Sequence, residues 1–430
     1  MNCRRRTSLT GRAARAAAAL LVIAMITEAK STDPHGGTPA LTGAPLPGLL
    51  DSPAFAAKAT GDWWGARQQL KQAGVSFDSS LILEGFKNFQ GGLGNPDLIG
   101  ASTFDLNLEL DTERLIQWPG GMFYADLEDH AGQDPSTDLV GDLQVFDKQN
   151  APRYLQLFEL WYQQKLLDDK LRLKFGKVDA NSEFSVIDNG LPFLNSSTQV
   201  SPTVFVFPTT PDPMPALNVF LTPNKSYYAS LGAFYANRSV GFGNFIGHPQ
   251  DAQSSASGMF FIGETGLRWQ KAPLLEHEGN LRLGSWGHTG TFTRLDGSSQ
   301  QGVYGYYAIL DQTLWQPDGA TEHGRGVRTF LEYGRTQSTV NPTDEHFGWG
   351  VTWTGLFPGR SADIAGFSPQ YAHVSPPAGL PHSFELALEG FYRLQLTPWA
   401  TLMPDLQYII HPGGQYPNAL VGTIRLTVHF

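Results

Sequence analysis

The chain has 430 residues and a formal net charge of −10, and charged residues make up only 16% of it. This acidity argues against a nucleic-acid partner, whose phosphates attract a positively charged surface. The single cysteine is Cys3, so we expect no disulfide and no cysteine-bound metal later in the chain. The sequence also lacks close histidine clusters and the common hydrolase motifs. We therefore predict no metal site, no cofactor and no enzymatic activity.

The beginning of the chain has the features of a secretory signal. Basic residues at Arg4, Arg5 and Arg6 precede a short apolar run over 16–26, and small residues near Ala29 suit cleavage. We predict three parts in chain order. They are a signal peptide over 1–29, a flexible lead-in rich in proline and glycine over 30–60, and a barrel domain over 61–430.

A short helix is predicted directly after the lead-in. Asp62 is a suitable N-cap, Gly74 is a suitable end, and Trp63, Arg67 and Leu70 fall on one face. Two interpretations remain open for this helix. It is either an ordinary packing helix or a seal for the periplasmic end of a barrel.

From Val75 onward, apolar and polar residues alternate with a period of two, which is typical of β-strands. The pattern is clearest over 104–111, 384–396 and 420–430, where leucine and phenylalanine alternate with charged or amide residues. About fourteen such strands are recognisable, and one or two more are allowed within 181–224. No helical crossover separates the strands, which argues against a parallel α/β fold.

No apolar stretch after residue 29 is long enough for a transmembrane helix, because charged residues, glycine or proline interrupt each one. Such a chain satisfies its backbone inside a membrane only as a closed barrel. The terminal strand has one apolar face, one polar face and an aromatic last residue, Phe430. We predict an all-β, transmembrane antiparallel barrel, with about sixteen strands, in the outer membrane of a Gram-negative cell.

Two irregular stretches interrupt the alternation. Prolines and phenylalanines are interspersed over 181–224, and prolines at this density disfavour a regular central strand. Because a long loop in a compact domain usually has a role, we predict that this stretch folds into the lumen and narrows it. The second stretch, 358–381, is predicted to be an external loop.

The sequence resembles the carbohydrate-selective outer-membrane porins, or OprB-type porins. The resemblance rests on four blocks in this order: Gly61-Asp-Trp-Trp-Gly-Ala-Arg67 with Leu70 and Gly74; Trp118-Pro-Gly-Gly-Met-Phe123; Phe158-Glu-Leu-Trp-Tyr-Gln-Gln164 with Gly176-Lys-Val-Asp-Ala-Asn181 and Phe193-Leu-Asn-Ser-Ser197; and Pro398-Trp399, Pro404-Asp-Leu-Gln-Tyr-Ile409 and His411-Pro-Gly-Gly414 with the terminal strand. Trp64 departs from the family, which more often has glycine there. The resemblance implies a sixteen-stranded barrel through which monosaccharides and related small carbohydrates diffuse passively.

Strand alternation supplies the candidates for contact with a solute, because polar residues on an inner face line the lumen. Those candidates are Glu84, Glu159, Lys174, Arg282, Glu385, Glu389, Arg393, Asp405, Gln407 and Arg425. Asn195 and Ser196 are candidates for a constriction formed by the proline-rich stretch. A solvated lumen charge without sugar contact is the alternative for each residue.

The expected partners are small carbohydrates, outer-membrane lipids and lipopolysaccharide, and the barrel assembly machinery through the strand that ends in Phe430. No nucleic acid is expected, and association into a homo-oligomer is left open. Two rival functions also remain open. One is a general, organic-acid-selective or cation-selective porin, and the other is a hydrolase carried on a barrel.

Overall fold

The computed structural model describes residues 58–95, 97–149, 153–236, 257–271, 276–317 and 324–430. The predicted signal peptide and nearly all of the predicted lead-in lie outside these residues. The strands form a closed antiparallel barrel in which each strand pairs with its neighbours in sequence, and the first strand pairs with the last. The predicted fold class is therefore confirmed.

The described residues form two α-helices, α1 (Ala66–Gln72) and α2 (Thr112–Ile116), and sixteen strands. The strands are β1 (Val75–Gln90), β2 (Leu98–Asp111), β3 (Gly121–Gly132), β4 (Tyr154–Leu166), β5 (Leu171–Val178), β6 (Met214–Asn224), β7 (Tyr227–Ala236), β8 (Gly258–Trp269), β9 (Gly279–Thr293), β10 (Ser299–Trp315), β11 (Gly326–Thr336), β12 (Thr343–Thr354), β13 (Ile364–Val374), β14 (Phe384–Thr397), β15 (Ala400–Ile410) and β16 (Ala419–His429). None of the helices in the described part of the chain has the length and apolar character needed to cross a membrane.

The alternation in β14 shows how the sequence sorts side chains between the two faces of the wall. Glu385, Ala387 and Glu389 are buried inside, whereas Leu386 and Leu388 on the other face are only half-buried. Successive side chains of a strand point to opposite faces, so a period of two places one set inside and the other outside. The outward set is the apolar set, as a lipid-facing surface requires.

Closure of the barrel joins β1 to β16. Glu84 lies directly opposite Arg425 in an antiparallel register. In the same register, Leu83 lies opposite Leu426 and Leu81 lies opposite Val428. Pairing the first and last strands removes the exposed edges that an open sheet would leave. In the described part of the chain, all sixteen strands therefore have a partner on both sides.

Two strands were not recognised from the alternation. β6 lies in the last part of the proline-rich stretch 181–224, where the sequence allows one or two further strands, and it has Pro215 and Pro223 near its ends. β13 occupies the centre of 358–381, so the prediction of a single external loop there is wrong. Pro369 lies in the middle of β13, opposite Leu388 of β14. Proline donates no hydrogen bond to a ladder, which is why it argued against a strand.

The predicted N-terminal helix forms, but the chain enters it differently. Asp62 makes no side-chain capping bond, because the two tryptophans that follow have positive φ angles and form a 3₁₀ turn ahead of α1. The predicted cap is wrong. Arg67 of α1 donates hydrogen bonds to the carbonyl oxygens of Phe77 at 3.1 Å and Phe430 at 3.4 Å. The helix is thereby attached to the first and last strands.

Candidate functional site on the inner face of the barrel

The ten candidates named from strand alternation all lie at inward positions of their strands. Nine are buried and Arg393 is half-buried. Burial inside the barrel has two sources, since the wall itself covers side chains and so do segments that fold inward. The candidates therefore differ in how open they are to the lumen, and their contact with a solute stays a prediction.

The connection between β5 and β6, residues 179–213, is called the inner loop here because it packs against the inside of the wall. The ring of Phe193 meets those of Phe391 at 5.0 Å and Phe330 at 5.9 Å, both edge-on. Earlier in the inner loop, the ring of Phe184 packs edge-on against that of Phe234 on β7. Aromatic residues bury large apolar areas and favour edge-to-face geometry. These contacts attach the inner loop to the wall.

Wall carboxylates complete the attachment of the inner loop. Glu389 accepts hydrogen bonds from the backbone N–H groups of Leu194 at 2.6 Å and Asn195 at 3.0 Å. Asp311 accepts one from Asn189 at 2.8 Å. A loop inside a barrel must satisfy its backbone donors, and bonds to an ionised acceptor are the stronger kind. These carboxylates therefore act as anchors for the loop.

A second inward-folding stretch, residues 134–149 between β3 and β4, is called the docked segment. Its Leu139, Val140 and Phe146 are buried in one apolar cluster with wall residues that include Phe86 and Ile409. Its backbone is attached in the same way as that of the inner loop. Glu385 accepts from the N–H groups of residues 143 and 144 at 2.8 and 3.0 Å.

Buried arginines link the wall to both inward-folding stretches. Arg425 contacts Glu84 of the wall at 2.6 Å and Asp147 of the docked segment at 2.9 Å. Arg282 pairs in the same way with Asp311 of β10 and Asp188 of the inner loop. Each guanidinium lies between two carboxylates. Removal of either arginine would leave a buried carboxylate of the wall without its cation, which is strongly unfavourable.

Asn195 and Ser196, the two constriction candidates, lie at the start of a 3₁₀ turn in the inner loop. The Asn195 side chain is fully buried, donates to Gln407 at 3.1 Å and accepts from the Ser197 N–H at 3.0 Å. The Ser196 N–H donates to the carbonyl oxygen of Val145 in the docked segment at 2.9 Å. These bonds join the two inward-folding stretches to each other and to β15.

A cation and two aromatic rings lie together on β3, β4 and β5. The Lys174 ammonium is 3.7 Å from the centre of the Trp161 ring, and Trp161 stacks on Tyr124 at 4.8 Å. Lys174 also pairs with Glu183 of the inner loop, which Arg172 holds by two hydrogen bonds of 2.7 and 2.8 Å. This group combines donors, an acceptor and flat apolar faces.

The inner face divides into two regions. The covered half comprises the inner faces of β6–β14, where the aromatic side chains of the inner loop pack. The polar half comprises the inner faces of β15, β16 and β1–β5. Asp105, Asp126 and Glu128 of the polar half lie on β2 and β3 and were not among the candidates. The sequence did indicate an inward position for Asp105, because it alternates with leucines in the strand whose alternation is clearest.

Other partners of the wall cations carried no signal of this kind in the sequence. Asp147, Glu183 and Asp188 lie in inward-folding stretches, where no period assigns a face. Only the three-dimensional path of these stretches brings them to the arginines of the wall.

Two groups in the inward-folding stretches have shifted pKa values. Burial raises the pKa of Asp142, in the docked segment, to about 6. Burial likewise raises the pKa of Asp179, at the start of the inner loop, to about 6, although the hydrogen bond from Thr209 lowers it. Both shifts arise because a low-dielectric environment disfavours the ionised form. Both carboxyls therefore titrate closer to neutral pH than an exposed aspartate does.

Comparisons with known proteins agree with this geometry. Residues 95–430 match the family described as carbohydrate-selective porin, OprB family. Porin B of Pseudomonas aeruginosa is 25% identical over 421 residues, which cover 86% of this chain and 90% of that protein. These relatives are channels and are not named as enzymes.

The fold is similar to that of solved structures of OprB from Pseudomonas putida. The high-pH structure superposes with a TM-score of 0.77 at 22% identity, covering 88% of this chain and 100% of that chain. The low-pH structure gives a TM-score of 0.56 at 19% identity, covering 87% and 98%. At these identities the likeness concerns the fold alone. Since the family match spans well over half of the sequence, the protein belongs to the OprB family of carbohydrate-selective porins, which are β-barrel channels of the outer membrane.

Proposed function

We propose that this porin admits monosaccharides and related small carbohydrates by passive, selective diffusion through a polar, charged constriction. The supporting observation is the division of the inner face. The phenylalanines of the inner loop pack along the covered half, and charged side chains such as Glu84, Asp126 and Arg425 line the polar half. Such groups replace part of the water around a polyol, and weak replacement lets the solute leave again.

The candidates have two roles in this proposal. Glu385, Glu389 and Gln407 hold the inward-folding stretches in place and thereby determine the width of the passage. Arg393 is half-buried and makes no ion pair within 4 Å in the described residues, so its guanidinium donors are available to sugar hydroxyls. Trp161 is buried and holds the Lys174 ammonium 3.7 Å from its ring centre, so it fixes the position of this cation on the wall.

The experiment is liposome swelling with a panel of monosaccharides, disaccharides, polyols and organic acids of graded size. We expect monosaccharides to enter faster than organic acids of the same size, and disaccharides to enter slowly. In planar bilayers, a monosaccharide that binds in the passage should reduce the ion current in a concentration-dependent way. Entry rates that depend on solute size alone, with no sugar effect on the current, would show a general porin.

A cation-selective porin is the second candidate, and the acidic residues of the polar half favour it. Asp105, Asp126 and Glu128 lie close together there, and clustered charge of one sign raises the local concentration of counter-ions. A salt gradient across a planar bilayer distinguishes the two functions. Strong cation selectivity without any effect of sugars would favour this second candidate. A barrel-borne hydrolase has weaker support, because the relatives are channels.

The proposal extends to the surroundings of the barrel. The outward faces carry exposed apolar residues such as Leu217, Leu231 and Ile424, which suit contact with outer-membrane lipids and, at the outer rim, with lipopolysaccharide. Strand β16 is proposed to be the segment that the barrel assembly machinery recognises. Cross-linking in native membranes tests whether barrels associate into homo-oligomers.

A further inference from the structure

Three carboxylates lie together on the polar half, away from the anchors and from the arginine pairs. Asp105 of β2 is directly opposite Glu128 of β3, and Asp126 is two residues before Glu128 on the same inner face. One oxygen from each carboxylate lies within 4.8 Å of the other two. Two neighbouring strands thus bring three negative charges to one place on the lumen wall.

The hydrogen bonds of these carboxylates leave one of them without a donor. Asp105 accepts from the Ser80 hydroxyl at 3.0 Å, and Glu128 accepts from the Tyr154 hydroxyl. Asp126 is only 7% exposed, and its Oδ1 atom is buried without a hydrogen-bond partner in the described residues. A buried carboxylate with no donor is costly unless something else supplies positive charge.

No neighbouring side chain supplies that charge by direct contact. The Lys177 ammonium on β5 donates to the Gln156 side chain at 3.3 Å and to the carbonyl oxygen of Leu157 at 2.7 Å. Within the described residues, no ion pair shorter than 4 Å joins Asp105, Asp126 or Glu128 to a lysine, arginine or histidine. The mutual repulsion of the three carboxylates therefore needs protons or a bound cation to offset it.

The spacing suits a hard divalent cation. Calcium binds carboxylate oxygens at roughly 2.3–2.6 Å, so oxygens on opposite sides of one ion lie about 5 Å apart. Oxygens within 4.8 Å of one another can therefore share one ion. Calcium tolerates irregular geometry and fills its remaining positions with water, which the lumen provides.

We propose that Asp105, Asp126 and Glu128 bind one partly hydrated divalent cation of the calcium type on the lumen wall. The ion reduces the negative charge of the polar half and links β2 to β3 across their ladder. The prediction of no metal site rested on the absence of histidine and cysteine spacings, whereas these ligands are carboxylates from two strands. Cation binding here does not depend on sugar passage.

Terbium, a luminescent substitute for calcium, gives a direct test. The full-length protein is refolded in detergent without lipopolysaccharide, treated with a chelator and titrated with Tb³⁺ while tyrosine is excited. Tyr154, which donates to Glu128, is close enough to transfer energy to a bound ion. We expect sensitised emission that saturates at one Tb³⁺ per chain and is displaced by Ca²⁺.

Asp126→Asn is the informative variant, because Asp126 accepts no hydrogen bond whose loss would disturb the wall. It should weaken Tb³⁺ binding at least tenfold. The control is Glu109→Gln, which removes one charge from an exposed, inward position on β2. This control should bind Tb³⁺ as the wild type does.

A second readout covers the case in which Asp126→Asn does not fold, as judged by heat-modifiable mobility on gels. Glu128→Gln then replaces it, and the reversal potential of the channel is measured with and without Ca²⁺. Calcium should reduce the cation selectivity of the wild type and of Glu109→Gln, but not that of the site variant. Absence of saturable Tb³⁺ binding at pH 8, or equal binding by the wild type and the site variants, would overturn the proposal.

Discussion

The two halves of the inner face are built from the same kind of strand but are completed in different ways. In the covered half, inward rings such as Phe330 and Phe391 are buried by Phe193 of the inner loop. In the polar half, inward side chains such as Glu84 and Arg425 are paired through charge. Alternation alone does not distinguish the two halves. The difference comes from the segment that packs on each half: the phenylalanines of the inner loop on the covered half, and the docked segment with its Arg425–Asp147 pair on the polar half.

This comparison explains why the anchors are carboxylates. Burial of apolar surface area holds the inner loop against the wall, but aromatic contacts do not supply hydrogen-bond acceptors for its backbone N–H groups. Glu389 supplies acceptors for two of them at the edge of the covered half. Aromatic residues thus contribute the burial and Glu389 contributes the hydrogen bonds, so a substitution can remove either contribution without the other.

The largest effect is expected from Phe193→Ala in the covered half. Replacing a fully buried phenylalanine costs about 3–5 kcal/mol, and here the loss falls on the docking of the inner loop. We expect noisier single-channel currents and faster entry of disaccharides in liposome swelling. Leu191→Ala, at a position that is 51% exposed in the same loop, is the control and should behave as the wild type. Unchanged disaccharide exclusion in Phe193→Ala would contradict the role of the covered half.

A smaller effect is expected from Glu389→Gln. Hydrogen bonds to a charged group contribute about 1.5–3 kcal/mol, against about 0.5–1.5 kcal/mol for neutral ones, so the loop should loosen without leaving the wall. Hydrogen exchange over residues 190–198 should accelerate. Glu109→Gln, in the polar half, should leave exchange there unaltered. If both variants exchange alike, Glu389 is not an anchor.

Arg425→Ala tests the polar half. Its loss leaves Glu84 and Asp147 without their cation, so the channel should become more cation-selective, as a reversal potential would show.

Arg393→Ala tests a position on β14, at the edge of the covered half, and removes a guanidinium that has no ion pair in the described residues. We expect it to slow monosaccharide entry with little change in the heat resistance of the barrel. Wild-type behaviour in both variants would show that the inner-face assignment is irrelevant to transport.

The smallest effect concerns pH and the docked segment. Burial raises the pKa of Asp142 from 3.8 to about 6, so the docked state binds more protons than an undocked one within this window. Docking should therefore strengthen as the pH falls from about 6 towards 4, and it should be weakest above pH 6. The closing frequency of single channels at pH 7 and pH 4.5 measures this.

Asp142→Asn provides the matching control for the pH experiment. Because it cannot ionise, the variant at pH 7 should resemble the wild type at pH 4.5 and should lose most of the pH response. A response identical to that of the wild type would assign the effect to another group, such as Glu385, which faces the same segment.

Much of the barrel was predictable because membranes and water sort side chains by a short-range rule. Alternation correctly placed Glu389 on the inner face and Leu388 on the outer face of β14. It also placed the other candidate residues on the inner face, where the structure has them. It failed at β13, where Pro369 lies in mid-strand. It gave no information on the docked segment, whose residues have no strand period.

The sequence by itself determined the fold class, the two faces of most strands and the membership of an outer-membrane porin family. These properties follow from local alternation and from motifs that are read along the chain. Only the tertiary structure decided that Asp147 meets Arg425, that Asn195 meets Gln407, and that Asp105 lies beside Glu128. The physical reason is that register and loop path set distances between residues far apart in sequence, and no local pattern encodes those distances.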